Sequence, residues 1–217
     1  MRYGLWPVGF ARSGSVTPFQ GFYGCWLDHG GCCGFVDCDE RVGRRCWFRC
    51  DVGYKHRWRG SEPCSGADTV TITASEGDVE LGTVRADTGA VMVTANAGSI
   101  VHAVGGVIRV ASASQVITLS ASGGVTAEVV ADVVVDVSST SSGAIDLTGR
   151  GALRLFKVST AAGSITADAA GLLTATNVSA GGAGSEVKLS TSAGGVVASQ
   201  VVGAGAVTIT ASAGDIG

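Results

Sequence analysis

The sequence predicts an all-β protein whose main part is a β-solenoid of about seven coils, preceded by a Cys-rich irregular N-terminal segment. Three observations lead to this fold class. The composition changes abruptly near residue 65, a ten-residue motif recurs between residues 70 and 216, and apolar residues alternate with polar ones inside each copy. We therefore divide the chain into a segment of residues 1–64 and a repeat domain of residues 65–217.

The N-terminal segment, residues 1–64, is rich in cysteine and aromatic residues. It holds every Trp, Tyr and Pro of the chain and five of the six Phe. The close spacing of its cysteines suits a disulfide-stapled module, although their number is odd. A zinc site with His29 and His56 is a second alternative, which the absence of a CxxC pair disfavours, and a disordered segment with incidental cysteines is a third. The cysteines are Cys25, Cys32, Cys33, Cys38, Cys46, Cys50 and Cys64.

The repeat domain is built on one motif, in which an apolar–x–apolar–Thr/Ser stretch is followed by three small or polar residues, a Gly, a small or acidic residue, and Val or Ile. The first copy, VTITASEGDV at 70–79, returns almost unchanged as VTITASAGDI at 207–216. The glycines of the six copies are separated by 21, 25, 40, 31 and 20 residues, which fits a basic period near twenty, once doubled and sometimes stretched. These anchoring glycines are Gly77, Gly98, Gly123, Gly163, Gly194 and Gly214.

Each copy predicts one half-buried strand and one tight turn. Val70 and Ile72 alternate with Thr71 and Thr73, which is the period-two pattern of a strand, and the Gly tolerates a positive φ in the turn. Such a unit buries its apolar face only by stacking on copies of itself. At about 4.8 Å per coil, seven coils make a rod on the order of 35 Å long. The residues expected to face inward are Val70, Ile72, Val79, Val91, Val93, Ile100, Ile117, Leu119, Val125, Ile145, Leu147, Val158, Ile165, Val187, Leu189, Val196, Val207 and Ile209.

The repeat domain offers no residue pattern that predicts a catalytic, cofactor or metal site. Residues 130–137 predict one further strand with Asp132 and Asp136 facing outwards. These carboxylates would lie about 13 Å apart, which is too far for either glycosidase geometry. The repeat domain has one histidine, His102, and we interpret it as an ordinary surface or core residue. We therefore expect a protein that is not an enzyme and that uses no cofactor.

The motif copies resemble the haemagglutinin-type repeats of large secreted bacterial adhesins and the related adhesin β-helix domains. The likeness covers residues 68–217, about two thirds of the chain. It implies a right-handed parallel β-helix that is secreted or exposed on a cell surface, where it serves as a stalk or a contact surface. The family supplies no catalytic residues to transfer. Residues 1–64 match nothing in its pattern.

Charge and hydropathy narrow the choice of partners and location. Residues 1–64 carry nine Lys/Arg and six Asp/Glu, and the remainder six and twelve, so neither part has the basic surface that nucleic-acid binding requires. No stretch is long enough to span a membrane, and the apolar run at 3–11 is too short for a clear signal peptide. Because the chain stops just after a motif copy, we expect the array to be truncated there and able to stack with further repeats.

Three function classes remain. We expect a non-enzymatic, adhesin-like protein, extracellular or on a cell surface, whose partner is an unidentified surface glycan or protein. The alternatives are an ice-binding β-solenoid and a carbohydrate-active β-helix enzyme. The pairs Thr71/Thr73 and Thr208/Thr210 would begin and end an ice-binding row, but lysines and a methionine take their place in the intervening copies. Because a strongly hydrated ammonium group disorders such a row, we predict no ice binding.

Overall fold

The structure is a computed structural model that describes residues 69–130 and 132–217 with their side chains. It also describes the backbone of four strands between residues 34 and 66. Within these ranges it contains strands and turns but no helix. Its strands are β1 Gly34–Asp39, β2 Arg45–Val52, β3 Trp58–Arg59, β4 Cys64–Gly66, β5 Val70–Ala74, β6 Val79–Ala86, β7 Val91–Ala95, β8 Ile100–Val110, β9 Val116–Ala121, β10 Val125–Val130, β11 Val133–Ser139, β12 Ile145–Gly149, β13 Leu153–Thr160, β14 Ile165–Ala169, β15 Leu173–Ala180, β16 Val187–Thr191, β17 Val196–Gly203 and β18 Val207–Ala211.

Strands β5–β18 form seven coils of a parallel β-solenoid, as the repeats predict. Odd-numbered strands from β5 to β17 form one sheet, which we call sheet A, and even-numbered strands from β6 to β18 form the other, sheet B. Each coil therefore contributes one strand to each sheet, and every pairing between successive coils is parallel. The protein is all-β in its described part.

The core lies between the two sheets and is almost entirely aliphatic. In most strands buried and outward residues alternate, as β7 and β12 show clearly, because successive side chains point to opposite faces. Sixteen of the eighteen residues predicted to face inward are at most 1% exposed. The prediction was wrong for Val207, which is 43% exposed, and too strong for Ile209, which is half-buried. Both lie on β18, which is the edge strand of sheet B in the described structure.

The turns stack directly on one another, which explains the motif glycines. A Cβ at Gly98 would lie 2.1 Å from the carbonyl oxygen of Gly77, so no larger residue fits between these coils. The residue after the Gly bonds to the next turn along the stack. The Asp78 carboxylate accepts from the Ser99 N–H at 2.9 Å, and the Ser99 hydroxyl accepts from the Gly124 N–H at 3.1 Å. These bonds account for the small or acidic residue at this place in the motif.

The motif copies do not all occupy the same edge of the solenoid. The turns of Gly77, Gly98, Gly123 and Gly163 follow strands of sheet A, whereas those of Gly194 and Gly214 follow strands of sheet B. The interval of 31 residues is therefore about one and a half coils. The interval of 40 hides one further turn, since Gly143 packs between the turns of Gly123 and Gly163. The repeating unit of the sequence is a half coil, and it changes sides between the fifth and sixth coils.

The segment at 130–137 is a corner and not the single strand that its sequence predicts. Strand β10 ends at Val130 and β11 starts at Val133. Asp132 lies between them with φ 35°, a conformation in which Asp is better tolerated than most residues. Asp136 does lie on a strand, β11, and points away from the core as expected.

The backbone of β1–β4 continues the two sheets upstream of the repeats. Strand β2 pairs with β1 in antiparallel and with β5 in parallel fashion, and β3 and β4 both pair with β6. The side chains of residues 1–66 lie outside the described part of the structure. The disulfide, zinc and disorder interpretations of the Cys-rich segment therefore stay predictions.

Candidate contact face on sheet A

The outer face of sheet A carries polar side chains in straight columns that run along the solenoid axis. The parallel register places equivalent outward residues of successive coils next to each other. One column consists entirely of hydroxyl side chains over six consecutive coils, and we call it the hydroxyl ladder. Its members are Thr73, Thr94, Ser120, Ser138, Ser159 and Ser179.

The hydroxyl ladder is a regular array of hydrogen-bonding groups. All six residues are half-buried against their neighbours, and the Ser138 hydroxyl donates to that of Ser120 at 3.2 Å. Each hydroxyl both donates and accepts, and the strand spacing sets one such group about every 4.8 Å. This surface can hydrogen-bond an extended polymer that itself carries hydroxyl groups at short, regular intervals.

A second outward column borders the ladder and changes character along the molecule. In the first three coils this column contains Thr71, Met92 and Thr118, and in the fourth coil Asp136 follows on β11. From β13 onwards the column is built of long polar side chains and has no carboxylate. These side chains are Lys157, Asn177 and Gln200.

A β-bulge on β13 turns an aromatic ring towards solvent. Val135 pairs with Leu155, but Asp136 pairs with Lys157, so Phe156 is an extra residue. Both Phe156 and Lys157 consequently point outwards, and Phe156 is 57% exposed. The Asp136 carboxylate accepts a hydrogen bond from the Lys157 backbone N–H at 3.2 Å. A bulge leaves a backbone N–H without its usual partner in the sheet, and this carboxylate takes that partner's place. The Asp136 side chain of the fourth coil thus stabilises the bulge in the fifth coil.

The bulge continues through the last three strands of sheet A. Leu155, Ala175 and Ala198 stay in register, as do the residues two places later in each strand. The face of β13, β15 and β17 therefore bends at one line and presents an aromatic ring, two cations and two amides. We call this group the bulge patch. It consists of Arg154, Phe156, Lys157, Asn177 and Gln200.

Over the last three coils, the two faces of the solenoid differ in charge. Strands β13, β15 and β17 of sheet A contain Arg154 and Lys157 and no carboxylate. Strands β14, β16 and β18 of sheet B, on the same three coils, contain one carboxylate, Asp168, and one cation, Lys188. Among the described residues no carboxylate lies within ion-pair distance of Arg154 or Lys157. The cations of the bulge patch are therefore available to an anionic ligand.

On sheet B, an ion pair and a histidine lie together near the third coil. Arg150 donates from Nε to the Glu128 carboxylate. This hydrogen bond lowers the pKa of Glu128 below its ordinary value; partial burial opposes the shift, and the charges of Arg150 and His102 add to it. Directly after His102, β8 contains an insertion at 103–106 relative to β6. Sequence reasoning had treated His102 as isolated, and nothing in the local pattern signals this cluster.

His102 is held in an unusual position by the same insertion. Leu81 of β6 pairs with His102 and Thr83 with Val107, so residues 103–106 of β8 lie opposite Gly82 alone, and Val104 among them is fully exposed. His102 thus sits beside a core residue, and its Nδ1 is enclosed without a hydrogen-bond partner in the described structure. The side chain is half-buried, in keeping with its interpretation as a surface or core residue.

The carboxylates of sheet B are spaced along a diagonal of the face. Thr148 separates Glu128 from Asp168 in one column, and Asp146 lies in the neighbouring column on the coil between them. Diagonal neighbours of this kind are about 7–8 Å apart, within the range of paired glycosidase carboxylates. A general acid, however, needs a raised pKa, and that of Glu128 is lowered. Asp168 accepts a hydrogen bond from the Ser190 hydroxyl at 2.7 Å and lies, like Asp146, exposed on an open face.

Two further features of the described chain bear on possible sites. Over residues 69–130 and 132–217, no group of three or more His, Cys, Asp and Glu side chains is arranged to hold a metal ion. The same ranges contain no apolar helix of membrane-spanning length.

The threonine pairs considered for ice binding lie on different faces. Thr71 and Thr73 belong to β5 of sheet A, whereas Thr208 and Thr210 belong to β18 of sheet B. They cannot begin and end one row, because the motif changes sides along the chain. Each face still contains a lysine, Lys157 on sheet A and Lys188 on sheet B.

The fold and its faces define the chain as a β-solenoid repeat protein. A scan against protein-family models, a search of curated proteins and a search of solved structures each found no match. The functional conclusion therefore depends on the geometry of the faces.

Proposed function

We propose that this protein is a non-enzymatic, surface-exposed or secreted contact module that binds an extended glycan along the outer face of sheet A. The observation that carries the proposal is the hydroxyl ladder, six hydroxyl residues in register on consecutive coils. A glycan presents hydroxyl groups at intervals of about the length of one sugar, which is close to the spacing of the coils. Many weak contacts along such a polymer add up to useful affinity.

The ladder suits binding better than catalysis. Its hydroxyls are backed by rigid parallel strands, so little conformational entropy is lost when a ligand is bound. The face is open along its length, which lets a long chain bind without threading an end. An adhesin-like role outside the cell agrees with this arrangement and with the resemblance of the motif copies to adhesin repeats.

Affinity electrophoresis of the full chain through gels that contain dextran, xylan or polygalacturonate tests the proposal. Wild type should be retarded by at least one polysaccharide. The double variant Ser120→Val/Ser138→Val removes two central hydroxyls of the ladder and should migrate as it does without polysaccharide. A matched control, Thr126→Val/Thr148→Val, removes two outward hydroxyls from sheet B and should bind like wild type.

Three outcomes would contradict the proposal. One is the absence of retardation by every polysaccharide, and another is an equal loss in the ladder variant and the sheet B control. The third is polysaccharide cleavage, seen as a rise in reducing ends that Asp146→Asn or Asp168→Asn abolishes, which would make the protein a carbohydrate-active enzyme. Thermal melting of each variant shows that it is folded.

A further inference from the structure

We infer that the bulge patch selects glycans that carry carboxylates or sulfates, so that the ligand of this protein is an anionic polysaccharide. The inference rests on the proposed function, because it names the class of polymer that the same face would bind. The first support is the charge of the patch. Arg154 and Lys157 are both exposed on β13, and neither β13 nor its neighbours β15 and β17 carry a carboxylate. In the repeat domain as a whole, acidic residues outnumber basic ones two to one.

The second support is the placement of Phe156. It is the one aromatic residue in the sequence after residue 65, and the bulge directs it outwards. Exposing an aromatic ring forgoes the stabilisation of burying it. The flat ring suits the apolar face of a sugar, while Lys157, its immediate neighbour, reaches an anionic group on that sugar or the next.

The third support is the direction in which the polar groups run. Lys157, Asn177 and Gln200 follow one another along the solenoid axis, beside Ser159 and Ser179 of the hydroxyl ladder. A chain bound along the ladder therefore passes over the patch without changing direction. The amides supply donors and acceptors for sugar hydroxyls, and the two cations supply charge-assisted hydrogen bonds.

Asp136 sets the limit of the anionic site. It precedes Lys157 in the same column and would repel a carboxylate or sulfate placed over the fourth coil. Its carboxylate is already engaged by the Lys157 backbone N–H, so it positions the bulge. The anionic groups of the ligand are thereby restricted to the coils of β13, β15 and β17. On the first four coils the hydroxyl ladder binds neutral hydroxyl groups.

The test compares the dissociation constants of the full chain for three probes: neutral dextran, dextran sulfate and polygalacturonate. Wild type should bind at least one anionic probe about tenfold more tightly than dextran, the effect of one good charged hydrogen bond, and high salt should remove the difference. Preference for dextran sulfate alone identifies a sulfated ligand, and preference for polygalacturonate alone a carboxylated one.

Substitutions then assign the preference to the patch. Arg154→Gln/Lys157→Gln should bring the affinity for the anionic probes down to that of wild type for dextran. Phe156→Thr, which copies the residue of the next coil, should weaken binding of all three probes. The control Lys188→Gln removes a cation from sheet B and should bind like wild type.

The outcomes separate this inference from the proposed function. If dextran binds as tightly as the anionic probes, or if Lys188→Gln loses as much as the patch variant, the anionic selectivity is wrong while glycan binding stands. If none of the three probes binds, the anionic selectivity is wrong, and the proposed function is wrong as well if xylan also fails to retard the chain. Because the substituted side chains are exposed, the variants should melt like wild type, and a variant that does not is replaced by the single substitutions.

Discussion

At the scale of single residues, buried hydroxyl groups tie one coil to another at the ends of core strands. The last residue of each sheet A strand from β5 to β15 faces inward, and in most coils it is alanine. In the fourth and fifth coils it is Ser139 and Thr160. Ser139 donates to the Gly123 carbonyl at 2.7 Å and Thr160 to the Gly143 carbonyl at 2.8 Å. Each hydroxyl therefore satisfies a carbonyl of the preceding coil's turn, which would be costly to leave unpaired in a buried place.

The hydrogen bond of Thr160 can be tested with an isosteric change. Thr160→Val keeps the shape of the side chain and removes the donor to the Gly143 carbonyl. We expect the free energy of unfolding to fall by about 1–3 kcal/mol, the usual cost of a buried polar group without a partner. Urea unfolding measures it. The control Thr160→Ser keeps the hydroxyl and should lose less, so equal losses in the two variants would contradict this role.

The Glu128–Arg150 pair predicts a pH-dependent contribution to stability. The hydrogen bond from Arg150 lowers the pKa of Glu128 in the folded protein, so the ionised carboxylate stabilises the fold. This contribution is present above the ordinary glutamate pKa of about 4.3 and is lost as pH falls through the lowered value. Arg150→Gln should therefore melt below wild type near neutral pH, and the two melting temperatures should converge in acid.

A matched variant checks that the effect belongs to this pair. Arg154→Gln removes an arginine that has no ion-pair partner among the described residues. Its melting temperature should differ from that of wild type by the same small amount at every pH. A difference for Arg150→Gln that persists undiminished at low pH would show that the carboxylate is not involved.

At the scale of elements, the position of a strand in the stack determines what its apolar residues contribute. Leu189 and Ile209 are in register on β16 and β18, and both occupy the inward column of sheet B. Leu189 is fully buried, but Ile209 is half-buried because β18 is an edge strand. The residue at this motif position therefore contributes more to the free energy of unfolding in β16 than in β18.

We expect Leu189→Ala to cost about 2–5 kcal/mol of unfolding free energy, as cavities in well-packed cores do. Ile209→Ala should cost about 1 kcal/mol, since less apolar area leaves contact with the core. Chemical unfolding of the two variants beside wild type gives both values. Equal losses would mean that the last coil is as well covered as the others.

The bulge on β13 is an element-level feature with a functional consequence. An added residue in a strand shifts the following side chains to the other face, and here it leaves Phe156 and Lys157 both outside while Val158 returns to the core. The matching extra residues in β15 and β17 keep the three strands in register. The bulge patch is thus specified by three strands together and would be lost if one of them had a regular length.

At the scale of the whole molecule, the motif copies are divided between the two faces, because the half-coil repeat moves from sheet A to sheet B along the chain. Each face has its own chemistry as a result: sheet A carries the hydroxyl ladder and the cations of the bulge patch, and sheet B carries the diagonal carboxylates. A solenoid with a strict one-coil repeat would place all copies on one face. This division is also what separates the threonine pairs.

Ice binding needs a flat, uninterrupted lattice of similar groups, and neither face of this solenoid provides one. The sheet A columns mix hydroxyls with Met92, Asp136 and Lys157, and charged side chains bind water too strongly to order it as ice. We therefore expect no thermal hysteresis in solutions of the full chain. A freezing-point gap that disappears on Thr73→Tyr or Thr94→Tyr would show that sheet A binds ice.

The sequence predicted the strands and turns of the motif copies and the core residues within them, but not the core residues between the copies, such as Leu81, Leu155 and Leu173. Alternation of apolar and polar residues is a local property with a period of two, so Val70, Leu119 and Ile165 could be placed inside without knowing the rest of the fold. The glycines mark the turns for the equally local reason that glycine tolerates the positive φ of a tight turn. The number of coils followed from the length of the repeat.

Which residues of different coils lie next to each other became clear only from the tertiary structure. The hydroxyl ladder, the Asp136-held bulge and the Glu128–Arg150 pair join residues from different coils, and the spacing between coils varies along the chain. Since one residue more or less reverses the face on which a side chain lies, the register between coils cannot be read from a pattern within one coil. It depends on how the uneven turns and bulges fit when the coils stack.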